Sequence, residues 1–105
     1  MIELKTETRA GWCVVAIRGR ADAETADELE AALRAAVAQH PKVAADFAGL
    51  DYISSAGLRA VLQAARAAQA ANAEFAACQL RGSVKRVFDV SGMQHVLRID
   101  ENLPC

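Results

Sequence analysis

The sequence predicts an α/β domain on a mixed, mostly parallel β-sheet, with an amino-terminal β-hairpin and helices packed against the sheet. Three observations lead there. Short apolar segments alternate with stretches whose apolar residues recur at helical spacing, the pattern of strand–helix–strand units. Only a short connection broken by Ala10-Gly11 separates the first two strand-like segments, so they pair as an antiparallel hairpin in an otherwise parallel sheet. Of the 105 residues, 53% are hydrophobic and 24% charged. That is the composition of one packed domain over residues 1–105, with too much apolar surface for a disordered chain.

The elements follow in order. Ile2 to Glu7 alternates apolar and polar, a half-exposed strand, and Trp12 to Ile17 is a second, more buried one. Gly19-Arg20-Ala21-Asp22 reads as a loop. Thr25-Ala26-Asp27-Glu28 has the T-x-x-E spacing of a capping box, with Asp22 as a competing cap. Ala26, Leu29, Leu33, Ala36 and Val37 form one face of the first helix, which His40-Pro41 ends, because a residue before proline resists the α region. Val43 to Phe47 is a short central strand and Ala48 to Ile53 a loop. A second helix runs from about Ser55 to Asn72, burying Leu58, Val61, Leu62, Ala65 and Ala68 and wetting Arg59, Gln63 and Arg66. Glu74 to Leu80 is another strand. Ser83 caps a third helix over Val84 to Val90, Gly92 takes the left-handed position after it, and Val96 to Ile99 closes the pattern β-β-α-β-α-β-α-β.

Several function classes fall away. Twelve basic against thirteen acidic residues give a net charge of −1, no footprint for a nucleic-acid backbone. No apolar run reaches membrane-spanning length, and Met1 to Lys5 lacks the pattern of an export signal, so a cytoplasmic protein without membrane insertion is expected. Cys13 and Cys78 lie in apolar runs and read as buried, reduced thiols. No cofactor or metal site is expected, since His40 and His95 stand apart from any ligand. There is no GxSxG elbow, Walker A loop or GxGxxG, and the two histidines have no serine or cysteine partner at an informative spacing. A receiver-type phospho-acceptor at Asp46 would need an acidic pair after the first strand, where Ala10-Gly11 stands. The chain is therefore expected not to be an enzyme.

The informative segment is Asp51-Tyr52-Ile53-Ser54-Ser55-Ala56-Gly57-Leu58-Arg59, between a buried strand and the start of an amphipathic helix. Its serines suit helix capping. They also suit a phosphorylation switch, since free N–H groups and the positive end of the dipole tolerate a phosphate there. The phosphate adds about −1.5 to −2 charge to the surface, enough to expel a docked partner. Ile53 reads either as an exposed apolar anchor or as core. Lys85 and Arg86 fall on the wet face of the third helix, Trp12 reads as core or hairpin packing, and the histidines as surface residues.

Here the sequence resembles the STAS family, within it the stand-alone bacterial anti-anti-sigma factors (anti-sigma factor antagonists). Ser54-Ser55-Ala56-Gly57-Leu58 matches the family's D/S-S-x-G-L core. Gly19-Arg20-Ala21-Asp22 is similar to its G-x-x-D loop, Asp46 to Leu50 to its strand-end segment, and Ser83 to Met93 to its third helix, so the resemblance spans nearly the whole chain. It implies a STAS fold and partner switching. The unphosphorylated protein binds an anti-sigma factor, a serine kinase of the GHKL ATPase type, and frees a sigma factor or other target. The kinase phosphorylates the family's serine, which maps onto Ser55, and a PP2C-type phosphatase reverses it. The residue before the acceptor is often Asp in the family; Ser54 stands there and is the second candidate. Asp22 maps onto the loop acid beside that serine, where helix capping is its other reading. The implied partner surface comprises Asp22, Ile53, Ser54, Ser55, Gly57, Leu58 and Arg59. A STAS subunit of an ABC-type lipid or solute transporter is the alternative; a small hydrolase using Ser55 lacks a base. No motif encodes self-association.

Overall fold

The computed structural model describes all 105 residues. The chain opens with strand β1 (Ile2–Arg9) and strand β2 (Trp12–Ala21). They pair antiparallel from Ile2–Gly19 to Arg9–Trp12. Ala10 (φ 49°) and Gly11 (φ 85°) make the turn, both in the positive-φ region that a two-residue hairpin uses to match strand twist. Helix α1 (Ala26–Gln39), strand β3 (Lys42–Ile53), helix α2 (Ser55–Ala70), strand β4 (Glu74–Cys78) and helix α3 (Gly82–Ser91) follow. A single 3₁₀ turn (Met93–His95) leads into strand β5 (Arg98–Ile99). The five strands lie in the order β1-β2-β3-β4-β5, with every pair after the hairpin parallel.

The helices share one face of the sheet. Leu29, Leu33, Ala36 and Val37 of α1, Ala60, Val61, Ala64 and Ala68 of α2, and Val84 and Phe88 of α3 join a core of 25 buried residues. The strands give that core Cys13, Val15, Ile17 and Ala21 from β2, Val43, Ala45 and Phe47 from β3, and Phe75 and Ala77 from β4. Phe47 meets Phe88 edge to face at 5.2 Å between ring centroids, a pairing that adds to area burial. The reverse face carries a second cluster, Trp12, Val14, Ala44 and Cys78, with only Leu103 and Cys105 packed against it.

Expectation and structure differ most at β3. Ala48 to Ile53 is strand, not loop, and β2 likewise continues through Gly19 and Arg20 to Ala21. The reason is two bulges. Ala16 pairs with Asp46, but Arg18 pairs with Gly49 and Arg20 with Tyr52. Each shift inserts an extra residue into β3, so its core-facing positions run 43, 45, 47, 50, 53, and the two-residue alternation that marks a strand is lost. Asp46 supports the first bulge, accepting the Ala48 N–H at 2.9 Å.

Smaller differences have local causes. The capping box of α1 does not form: Thr25 occupies the cap, makes no side-chain cap bond, and is buried. The sheet-facing stripe of α2 is Gly57, Ala60, Val61, Ala64 and Ala68, with Leu58, Leu62 and Ala65 half-buried beside it. The small residues let α2 approach α1 closely, and the leucines fill its flanks. β4 stops at Cys78 and β5 shrinks to Arg98–Ile99. α3 begins with Gly82, with Arg81 rather than Ser83 in the N-cap position and no side-chain cap bond, and Gly92 (φ 77°) takes the left-handed position after it, as expected. Cys78 is not a free thiol: its sulfur is bonded to that of Cys105. Cys13 is free and buried, and burial pushes its thiol pKa up. No helix is long and apolar enough to cross a membrane.

Candidate functional site

The long β2–β3 pair ends in register, Arg20 beside Tyr52 and Ala21 beside Ile53. Two connections leave this edge, one to α1 through Asp22 and one to α2 through Ser54. The Ser54 N–H donates to the Ala21 carbonyl at 2.8 Å and locks the second connection onto the end of β2. Gly57, in the first turn of α2, sits so close that a Cβ there would lie 2.8 Å from the Ala21 carbonyl oxygen and 2.8 Å from Cγ1 of Ile53. The glycine in the S-S-x-G-L core is therefore a packing requirement, fixing α2 against both strand ends.

The two serines have different duties. Ser54 is the N-cap residue, extended at φ −93° and ψ 177°, and its hydroxyl accepts the Gly57 N–H at 3.3 Å. It is half-buried. Ser55 is the first helical residue and is exposed. One serine closes the helix, and its neighbour presents a hydroxyl to solvent at the positive end of a helix of 16 residues.

The β2–α1 connection is tied down by its own polar groups. The Thr25 hydroxyl donates to the Arg20 carbonyl at 2.9 Å and accepts the Asp22 N–H at 2.9 Å. The Asp22 carboxylate accepts the N–H groups of Glu24 at 3.0 Å and Thr25 at 3.2 Å. Desolvation pushes the Asp22 carboxyl upward, but the hydrogen bonds from Glu24 and Thr25 outweigh it and hold the group below the usual carboxylate range. Asp22 thus stays charged in the connection that leaves the same sheet edge as the serines. It closes the turn before α1, whereas the helix-cap position expected of it is held by Thr25, and its second oxygen lies 4.0 Å from Nε of Arg20. The Arg20 guanidinium in turn stacks over the Tyr52 ring at 4.3 Å.

Of the residues expected at the partner surface, Ser55 and Arg59 are exposed, and Asp22, Ser54 and Leu58 half-buried around them. Ile53 is a correction: it is 3% exposed and part of the core, because the second bulge turns it inward. Gly57 is buried against it. These two position the surface and do not line it. Nothing in the residue pattern signals the Arg20–Tyr52 pair, since the strand register that makes them neighbours is shifted twice. Nor did it show that Ser83, at the start of α3, donates to the Asp51 carbonyl at 3.4 Å and joins a third helix to this edge.

The family model described as the STAS domain matches residues 3–104. The chain belongs to the STAS domain family. This STAS domain is 36% identical over 90 residues to BtrV of Bordetella bronchiseptica, whose name assigns it as an anti-sigma factor antagonist; the match covers 85% of this chain and 78% of BtrV. The crystal structure of an anti-sigma factor antagonist from Mycobacterium paratuberculosis superposes with a TM-score of 0.85 at 24% identity, covering 99% of this chain and 88% of that one. The phosphorylated form of SpoIIAA, a Bacillus cell fate determinant, superposes with a TM-score of 0.69 at 18% identity over 95% of this chain and 93% of its own. In this STAS domain the helix-start serines sit at the carboxyl edge of the paired strands, where ligands of parallel sheets commonly bind.

Proposed function

We propose that this STAS domain is an anti-sigma factor antagonist that works by docking, without catalysis of its own. Its partner is an anti-sigma factor with serine kinase activity of the GHKL ATPase type, whose capture frees a sigma factor or other target. Phosphorylation of Ser55 ends the docking, and a PP2C-type phosphatase restores it. The observation that carries this reading is the division of labour between the serines. Ser54 caps α2 through Gly57, so Ser55 is left exposed and takes a phosphate without dismantling the helix start.

The electrostatics agree. A phosphate on Ser55 gains from the free N–H groups and dipole of α2, so the fold tolerates it. The same phosphate adds about −1.5 to −2 charge at pH 7 close to Asp22, which is already ionised. A partner docked across Asp22, Ser54, Ser55, Leu58 and Arg59 then meets the phosphate's negative charge in addition to that of Asp22, and must desolvate the phosphate to stay. Similarity to BtrV supports the antagonist role, and the existence of SpoIIAA in a phosphorylated form supports a switch of this kind on this fold. A hydrolytic role for Ser55 lacks a base. His40 precedes β3 and His95 precedes β5, at the amino ends of the parallel strands, while Ser55 follows the carboxyl end of β3.

The test is incubation with the cognate kinase and ATP, phosphate mapping by mass spectrometry, and binding measurements on variants. Phosphate is expected on Ser55, Ser55→Asp weakens kinase binding, and Ser55→Ala binds but is not released by ATP. Label outside Ser54 and Ser55, or equal binding by all three proteins, sinks the proposal.

A further inference from the structure

We propose that Cys78 and Cys105 form a reversible dithiol–disulfide couple that latches the segment following β5 onto the reverse face of the sheet. This inference does not depend on the partner or on Ser55. Three ties hold the segment. The Asp100 N–H donates to the Ala77 carbonyl at 2.9 Å, carrying the β4–β5 ladder one step further. The Glu101 carboxylate accepts the N–H groups of Gln79 at 3.0 Å and Leu80 at 3.4 Å, which β4 leaves free where it ends. Beyond these, Leu103 and Cys105 pack against Trp12, Val14, Ala44 and Cys78, and the two sulfurs bond with a Cα–Cα distance of 6.5 Å, within the usual span of a disulfide.

The site suits both redox states. Cys78 is fully buried in the cluster, and its sulfur lies 3.5 Å from the Ala45 carbonyl oxygen, an acceptor for the S–H once the bond is open. Cys105 is only half-buried, so an oxidant reaches it first. With a low-molecular-weight disulfide such as oxidised glutathione, the Cys105 thiolate attacks one glutathione sulfur and releases the first glutathione thiolate. The Cys78 thiol then loses its proton and attacks the Cys105 sulfur, expelling the second. The protein gives up two electrons and two protons, and one glutathione disulfide becomes two glutathiones. In a reducing compartment the pair rests as thiols and the latch is open; oxidative challenge closes it.

Trp12 is the only tryptophan of the chain and lies under the latch, so its fluorescence reports closure. The experiment equilibrates the full chain in glutathione buffers of rising oxidised fraction, reads Trp12 emission, then quenches with acid, unfolds the chain, alkylates the free thiols and reads intact mass. With oxidation, alkylation at Cys78 and Cys105 is lost and Cys13 alone remains a thiol. With reduction, Trp12 emission shifts to longer wavelength as water reaches the ring. Cys105→Ser, which removes only the half-buried partner, gives the reduced emission at every ratio. Three alkylated cysteines at every ratio, a glutathione adduct that persists on Cys105, or closure that leaves Trp12 emission unchanged each overturns the proposal.

Discussion

β2 and β3 are 10 and 12 residues long and stay paired as far as Ala21 and Ile53, whereas β4 and β5 share only the pairs Ala76–Arg98 and Ala77–Ile99. Both halves of the sheet must satisfy backbone groups at the same carboxyl edge, and they do so by different means. The long half uses backbone and side chains of its own connections: the Ala21 carbonyl accepts from Ser54, and Thr25 and Asp22 close the turn into α1. The short half borrows a distant carboxylate, Glu101, to cover Gln79 and Leu80. The contrast teaches where rigidity lies. The serine edge is held by bonds among the two connections that leave it and is pre-formed, while the β4 edge depends on a segment that can leave.

The comparison breaks most readily at Gly57. A methyl group there collides with the Ala21 carbonyl and Ile53, so Gly57→Ala is expected to lower stability by about 1–3 kcal/mol, measured by urea unfolding. A loss below about 0.5 kcal/mol, the range of an ordinary surface change, shows that the two strand ends are not the rigid seat described. Ser54→Ala comes next, at about 1 kcal/mol for a lost N-cap, with Ser55→Ala within about 0.5 kcal/mol of wild type. Equal losses at both serines remove the division of labour between them.

The smallest effect concerns acid. Asp22 has a depressed carboxyl pKa in the folded protein, so its contribution is complete above the unfolded value of about 3.9 and fades as pH falls through the folded one. Asp22→Ala is therefore expected to lower Tm at pH 7, with the gap to wild type closing as pH drops below about 4. A gap independent of pH indicates that the ionised carboxylate contributes nothing beyond its shape.

Much of this was legible in the residues. The hairpin follows from Ala10-Gly11, the helical faces from their spacing, and the helix-start serines from Ser54-Ser55-Ala56-Gly57-Leu58. The Ala48–Ile53 strand was not, because two bulges erase its alternation. Ile53 was ambiguous for the same reason: its side is set by counting through those bulges. The bond between Cys78 and Cys105 was hidden by a separation of 27 residues, with nothing in between to indicate that the chain returns to the end of β4.

What the sequence determined alone is local: periodicity, turn chemistry and the serine pair at a helix start, all set by neighbours a few residues apart. Tertiary structure decided which serine is free, which way Ile53 faces, and what lies beneath the carboxyl-terminal segment. Those depend on strand register and on approaches such as Gly57 to Ala21, distances between residues far apart in the chain that only the packed sheet fixes.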